Sequence, residues 1–315
     1  MKISILIPCY NEELTIGKVI QDFRKEIPEA DIYVYDNNST DNTYEVAVRN
    51  GAIVEREPQQ GKGNVVRSMF RKIDSDVYIL VDGDNTYPAE AVHKIIQPIL
   101  SEQCDMATGE RISNGSYDEQ RSRRAFHSFG NNLVTKLVNK CFNSSIRDVM
   151  TGYRVFNRRF VKNTPILCSG FELETELTLH SLDKGFRIIE IPIDYRDRPE
   201  GSESKLNTIK DGFFVLKTIF RVIKDYKPLI FFASMSLLLL ISGLIVGIPV
   251  INEFIKTGFI NKVPSAVLAV GLVLSSGIFI TCGLVLDTIV RQHKENFEVM
   301  LLKESLFRQV DQPRI

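Results

Sequence analysis

Apolar residues gather in four short runs along the first part of the chain: Lys2 to Pro8, Asp31 to Asp36 (DIYVYD), Ala52 to Glu55 and Val77 to Val81. Runs of this length, bounded by polar segments, predict β-strands. Between them, Leu14 to Phe23, Thr43 to Arg49 and Asn64 to Ile73 repeat apolar positions at helical spacing. Strands alternating with helices predict an α/β domain with a doubly wound, mostly parallel sheet. Such sheets bind ligands beyond the carboxyl ends of their strands, so the residues just after each run are the ones to inspect.

The pattern changes after residue 228. From Leu229 to Asp287 only Glu253, Lys256, Lys262 and Asp287 are charged. Two runs, about 229–252 and 263–287, uncharged but for Asp287 at the edge of the second, are each about 36 Å long as a helix, enough to cross a hydrocarbon core of roughly 30 Å. Lys217, Arg221, Lys224 and Lys227 precede the first run and Arg291 and Lys294 follow the second, while the connecting loop offers Lys256 and Lys262. The positive-inside rule then places both chain ends in the cytoplasm of a multi-pass cell-membrane protein. Ile209, Phe213, Leu216, Phe220 and Ile223, interleaved with lysine and arginine, predict an amphipathic helix lying either at the interface or against the soluble domain. The expected layout is a cytoplasmic domain (1–206), a juxtamembrane helix (207–228), two transmembrane helices (229–290) and a cytoplasmic tail (291–315).

Composition narrows the function. The 39 basic and 39 acidic side chains balance, which argues against a nucleic-acid partner. The five cysteines have neither metal nor redox spacing, and their odd number argues against a disulfide framework, so a reducing compartment is expected. The apolar start is too short for a signal peptide. The four histidines, His93, His127, His180 and His293, show no mutual metal spacing.

Four polar motifs follow the four predicted strands: Cys9-Tyr10-Asn11-Glu12, Asp36-Asn37-Asn38-Ser39-Thr40-Asp41, Gln60-Gly61-Lys62-Gly63-Asn64 and Asp82-Gly83-Asp84. Asp82 and Asp84 flank a glycine that lets the backbone turn tightly, and two hard oxygen donors at that spacing suit Mg²⁺ or Mn²⁺ shared with a diphosphate. A solvated turn gives the same letters, and Gly61-Lys62-Gly63 is equally either a plain turn or a phosphate cradle of amides and ammonium. Their shared register at successive strand ends points to one site.

With Pro8 added before Cys9, this series resembles the nucleotide-sugar half of inverting family 2 glycosyltransferases with a GT-A fold. Downstream, Gly109-Glu110-Arg111, Arg123-Arg124, Asp148 to Arg154, Gly170 to Glu174 and Asp197 to Leu206 resemble the branch of dolichol-phosphate mannose synthases and undecaprenyl-phosphate glucosyltransferases. The likeness covers roughly residues 1–228. The resemblance implies a nucleotide-sugar site formed by Pro8, Tyr10, Asn11, Glu12, Asp36, Lys62 and Asp82, a metal on Asp82 and Asp84, and catalysis by Asp82, Asp84 and Arg198. Glu12 reads equally as a first-turn helix acid. There are two departures: the usual Asp-Asp-x-Ser is Asp36-Asn37-Asn38-Ser39, and a glutamine that assists the metal is replaced by Thr86. The second favours a UDP-sugar over a GDP-sugar.

Arg111, Arg123, Arg124, Arg154, Arg198 and Lys205 fall in the later motifs, a concentration of cations that suits a phosphate acceptor. The expected reaction is transfer of one sugar to a polyisoprenyl phosphate, with Arg111, Arg123, Arg124, Arg198 and Lys205 on the acceptor phosphate. A phosphomonoester is already anionic and needs no general base. Two alternatives stay open: a lipid hydroxyl acceptor, which needs a base such as Asp148 or Glu174, and a non-enzymatic membrane scaffold of the same fold. Gly243 and Gly247, spaced as in G-x-x-x-G, allow helix association between protomers. The chain has no tryptophan, which excludes the Gln-x-x-Arg-Trp signature of processive synthases.

Overall fold

The computed structural model describes residues 1–112, 125–170, 172–196, 218 and 220–311. Arg123, Arg124, Arg198, Lys205 and most of the predicted juxtamembrane helix lie outside them. The chain divides into two compact units, Met1–Leu216 and Lys217–Ile315.

Among the described residues, the first unit is built on seven strands: β1 (Ile3–Cys9), β2 (Asp31–Asp36), β3 (Ile53–Arg56), β4 (Val77–Leu80), β5 (Met106–Glu110), β6 (Arg154–Asn157) and β7 (Ile188–Pro192). Their order across the sheet is β3-β2-β1-β4-β6-β5-β7. The chain runs outward from β1 to β3 and returns to place β4 on the other side of β1, so the topological switch lies between β1 and β4. That crevice is where doubly wound sheets take their ligands. β1 and β4 are almost wholly buried, as strands covered on both faces must be, and this explains their unbroken apolar runs.

Helices α1 (Ile16–Glu26), α2 (Thr43–Arg49), α3 (Lys62–Lys72) and α4 (Val92–Leu100) connect the first five strands, and α5 (Ala125–Phe142), α6 (Arg158–Asn163) and α7 (Leu173–Asp183) follow. On α1 the apolar stripe Ile16, Val19, Ile20 and Phe23 is buried against Ile5, Ile7, Val77 and Ile79 of the sheet. The expectation of a mostly parallel sheet needs one refinement. β6 runs antiparallel to both neighbours, pairing Arg154 with Leu80 on β4 and with Thr108 on β5. The beginning of β6, not its end, therefore lies at the ligand end of the sheet. The result is a mixed sheet of the GT-A kind.

In the second unit, α8 (Pro228–Thr257) and α9 (Val263–Asp311) pack on each other. Both are long and apolar enough to cross a membrane, judged by length and composition. Their apolar residues mostly face outward, with Leu238, Ile245, Val267 and Leu274 exposed, opposite to the core helices of a soluble domain. Pro228 opens α8 at its first turn and Gly258, at φ 71°, closes it. α9 continues past the predicted second span without a break, so most of the residues assigned to a tail belong to the same helix. A Cβ on Gly243 would press on Val273, Leu272 and the Ala269 carbonyl, and one on Gly247 on Ala269. The glycine pair whose spacing allows association between protomers packs the hairpin of a single chain. Ser236 donates to the Ser276 carbonyl at 2.9 Å across the same seam.

Candidate active site at the carboxyl ends of the strands

The loops after β1 and β2 are knitted together by short polar contacts. Ser39 Oγ accepts the Asn11 N–H at 2.9 Å, and Thr43 Oγ1 accepts the Glu12 N–H at 2.8 Å. In return, Asn11 Oδ1 accepts the Thr40 N–H at 2.8 Å. Asn11, Asn38 and Asn85 follow β1, β2 and β4, and each has positive φ, 53°, 61° and 59°. Asparagine is the residue besides glycine that tolerates this region best, so the three sharp exits from the sheet are written into the sequence. Pro8 lies in β1 opposite Tyr35, Tyr10 is at the surface, and Asp36 is buried at the end of β2, where its Oδ1 accepts the Ser39 N–H at 3.3 Å. α1 begins at Ile16, and Glu12 precedes its cap, so the first-turn reading of Glu12 does not apply.

Asp82 and Asp84 emerge from β4 beside these loops. Asp84 is 4% exposed, and its Oδ1 accepts from the Thr86 hydroxyl at 2.6 Å and the Thr86 N–H at 3.2 Å. Thr86, counted as a departure from the expected motif, is what orients this carboxylate. Thr15 Oγ1 donates to the Gly83 carbonyl at 2.7 Å and ties the turn to α1. Asp82 is more open, with 28% of its side chain exposed, and its Oδ1 holds the Lys62 ammonium at 2.5 Å. The same ammonium lies 2.6 Å from Glu174 Oε1. Burial works against the charge on Lys62, but the two carboxylates outweigh it and raise the pKa above the usual lysine value.

Of the two readings of Gly61-Lys62-Gly63, a plain turn or a phosphate cradle, the contacts of its glycines favour the turn. Gly61 has φ 125°, and a Cβ there would fall on the Ser169 carbonyl oxygen. The Gly63 N–H donates to that same carbonyl at 3.1 Å. The glycines let the 168–169 backbone approach α3, and Lys62 is the part that reaches the carboxylates.

The opposite wall consists of the segment leading into β6. Arg111, after β5, closes its fork on Asp148, with Nε to Oδ2 at 2.7 Å and Nη2 to Oδ1 at 2.9 Å, and stacks over the Tyr195 ring. Burial alone would raise the Asp148 carboxyl, but Arg111 outweighs it and holds the group below the ordinary carboxylate value. Arg154 is a correction to the expected cluster of acceptor cations. It is fully buried, donating to the Thr151 and Val149 carbonyls at 2.9 and 2.7 Å and to Thr178 Oγ1 at 3.0 Å. A side chain so enclosed braces the loop and does not meet a substrate phosphate. Tyr87 Oη accepts the Gly152 N–H at 2.8 Å, and a Cβ on Gly152 would strike the Asp82 carboxylate.

The profile of the Glycosyl transferase family 2 domain matches residues 4–164, half of the chain. The chain belongs to glycosyl transferase family 2. Glycosyltransferase AglJ of Haloferax volcanii is 29% identical over 94% of this chain and 96% of its own length. A dolichyl-phosphate hexose transferase of the same organism is 30% identical over 70% of this chain and 93% of its own. Among solved structures, glucosyl-3-phosphoglycerate synthase of Mycobacterium tuberculosis, in complex with Mn²⁺, UDP and glucosyl-3-phosphoglycerate, superposes with TM-score 0.54 at 20% identity, over 71% of this chain and 79% of that one. That likeness is one of fold.

Within this transferase domain, the motif residues Tyr10, Asn11, Glu12, Asp36, Lys62, Asp82 and Asp84 come from four strand ends, joined in pairs: the end of β1 to that of β2, and the end of β3, through Lys62, to that of β4. Thr15, Thr43, Tyr87 and Gly152 escaped the sequence reading as site-building residues. Gly152 lies within the Asp148 to Arg154 motif, and Thr43 opens a predicted helix. Thr15 and Tyr87 act through one bond each to distant backbone, which no local pattern signals.

Proposed function

We propose that the protein transfers a single sugar, with inversion, from a nucleoside-diphosphate sugar to a polyisoprenyl phosphate at the cytoplasmic face of the cell membrane. One observation carries the choice of acceptor. A hydroxyl acceptor needs a carboxylate to take its proton, and both candidates are occupied by cations: Asp148 by Arg111, and Glu174 by Lys62. A phosphomonoester acceptor is anionic at neutral pH and attacks the anomeric carbon without that help. The dolichyl-phosphate acceptor in the name of one relative and the two apolar helices support a lipid that stays in the bilayer while its phosphate is presented at the interface. Donor chemistry follows the family, and UDP is favoured as its nucleotide.

The carboxylates of Asp82 and Asp84 fit Mg²⁺ or Mn²⁺. Both are hard oxygen donors, and Asp82 already stabilises a positive charge, the Lys62 ammonium. Among the described residues no third His, Cys, Asp or Glu joins them, which leaves further ligand positions to a diphosphate and water. When bound, the metal supplies charge stabilisation for the departing diphosphate. Thr86 holds Asp84 in the orientation needed, and Lys62 places a second positive charge beside Asp82. In this reading Tyr10, Asn11 and Asp36, with Pro8 and Glu12, line the nucleoside pocket. Arg123, Arg124, Arg198 and Lys205 receive the acceptor phosphate, and Arg111 joins them by sharing its fork with Asp148.

The test is product analysis with the full chain in detergent, undecaprenyl phosphate, Mg²⁺ or Mn²⁺, and a panel of UDP- and GDP-sugars. The expected result is a metal-dependent glycosyl-phosphoryl lipid of inverted anomeric configuration from one donor, reduced at least about a hundredfold with Asp84→Asn. Transfer to diacylglycerol in place of the lipid phosphate, sensitive to Glu174→Gln, overturns the acceptor assignment.

A further inference from the structure

The departure at position 37 has a structural counterpart. Asn37 is 3% exposed, and its main-chain N–H donates to the Cys9 carbonyl at 2.8 Å, which fixes its backbone to the end of β1. Its side chain turns the other way, into residues 57–61, the link between β3 and α3. Nδ2 donates to the Glu57 and Gln59 carbonyls, both at 2.9 Å, and Oδ1 accepts the Gly61 N–H at 2.6 Å. The amide thus uses two donors and one acceptor on one short loop.

Only an amide matches that set of partners. An ionised aspartate, which the family pattern places here, still accepts from Gly61, but it has no hydrogen for the two carbonyls, and its second oxygen would face them. Residue 37 and the shape of the 57–61 loop are therefore coupled. Gly61 is held from both sides, by Asn37 on its N–H and by the Ser169 carbonyl against its Cα, in a backbone conformation with φ 125°. The next residue is Lys62, the first of α3, whose ammonium joins Asp82 to Glu174.

We propose that Asn37 is a positioning residue for the donor site: its amide sets the Gly61 turn and, through it, where the Lys62 ammonium stands relative to Asp82. This rests on the reading that Lys62 faces the donor diphosphate. In this reading the family departure at residue 37 replaces a carboxylate by a loop clamp.

The experiment is a double-mutant cycle on the full chain in detergent, with UDP and GDP affinity in the presence of Mn²⁺ read by calorimetry and the donor and acceptor KM values read separately. Asn37→Asp is expected to weaken nucleotide binding and raise the donor KM about tenfold, the size of one or two lost net hydrogen bonds. The acceptor KM stays within about twofold, a split that general loosening of the fold would not give. In a Lys62→Met background, Asn37→Asp adds less than about twofold, because the group it positions is gone. Asn37→Ser keeps one donor and serves where the aspartate variant does not fold; an intermediate donor KM is expected. Full additivity of the two changes, or an unchanged donor KM in Asn37→Asp, overturns the inference while leaving the donor site standing. Nucleotide affinity unchanged by Lys62→Met alone overturns both it and the donor role of Lys62.

Discussion

The two walls of the cleft are held in place by different forces. On the side of β1, β2 and β4, the loops after β1 and β2 are knitted by neutral hydrogen bonds between adjacent motifs, Ser39 to Asn11 and Thr43 to Glu12, while Asp84 is held by Thr86 within its own turn. On the side of β6, the 148–154 segment is pinned by buried charges: Arg111, from the far end of β5, on Asp148, and the segment's own Arg154 on the Val149 and Thr151 carbonyls. The difference teaches caution about arginines near a phosphate site. Arg154, which charge alone would group with a ligand, is part of the wall, because a fully buried guanidinium must be satisfied by protein groups.

The sharpest test of this contrast removes a charge from the second wall. Arg111→Met leaves the Asp148 carboxylate buried without its partner, at an expected cost of about 3–5 kcal/mol. For a unit of this size that lowers the thermal midpoint by at least about 6 °C. The pH dependence gives a second reading. In the native chain the Asp148 pKa is lowered from 3.8, so its stabilising contribution is present above that value and fades as pH falls through the lowered one. In the variant, burial without Arg111 raises the carboxyl, and stability is lost as pH rises. The difference between the two proteins is therefore greatest near neutrality and narrows on acidification. A constant difference from pH 7 to pH 4 would break the account of this wall.

Asp84→Asn probes the first wall, where loss of function without loss of fold is expected. Thr86 still finds an oxygen on the amide, so the melting temperature stays within a few degrees, while product formation falls by about 10²–10³, the range for removing one preorganised electrostatic group. Residual activity above about a tenth of the native rate would detach Asp84 from the chemistry.

The contrast also explains what could be read from the residues alone. β1, β2, α2 and β4 fall within two residues of their predicted bounds, because buried parallel strands and their connecting helices carry strong local patterns. The donor-side motifs were legible for the same reason: in parallel strands the residues after the strand face the site. β6 breaks that rule. Being antiparallel, it brings Gly152 and Arg154 to the ligand end from its start, and the search beyond strand ends cannot find them. Charge patterning counted Arg154 in the cation cluster because burial leaves no mark on a single residue. The length of α9 was missed because charged residues after the second span signal the end of a membrane crossing, not the end of a helix.

Gly152→Ala tests whether the two walls touch. Its Cβ would meet the Asp82 carboxylate, and the neighbouring backbone is held by Tyr87 and Thr151, so the carboxylate is the part that yields. The expected effect is about tenfold on turnover, or about 1.4 kcal/mol, with little change in melting temperature. Native turnover in this variant would mean that Asp82 tolerates displacement and that the β6 wall is merely a neighbour.

Thr43→Ala has the smallest expected effect and separates the walls most finely. The hydroxyl is buried, accepts the Glu12 N–H at 2.8 Å and is itself held by Asp41 Oδ1 at 2.5 Å. Its removal leaves one buried amide unsatisfied in the loop after β1, at a cost of about 1–2 kcal/mol. Because Glu12 and Tyr10 share that loop, the cost should appear as a several-fold rise in donor KM as well as a small drop in melting temperature, with the acceptor KM unchanged. An equal rise in both KM values would mean that the neutral hydrogen bonds of the first wall brace the whole cleft, as the buried charges of the second do, and the distinction between the walls would lapse.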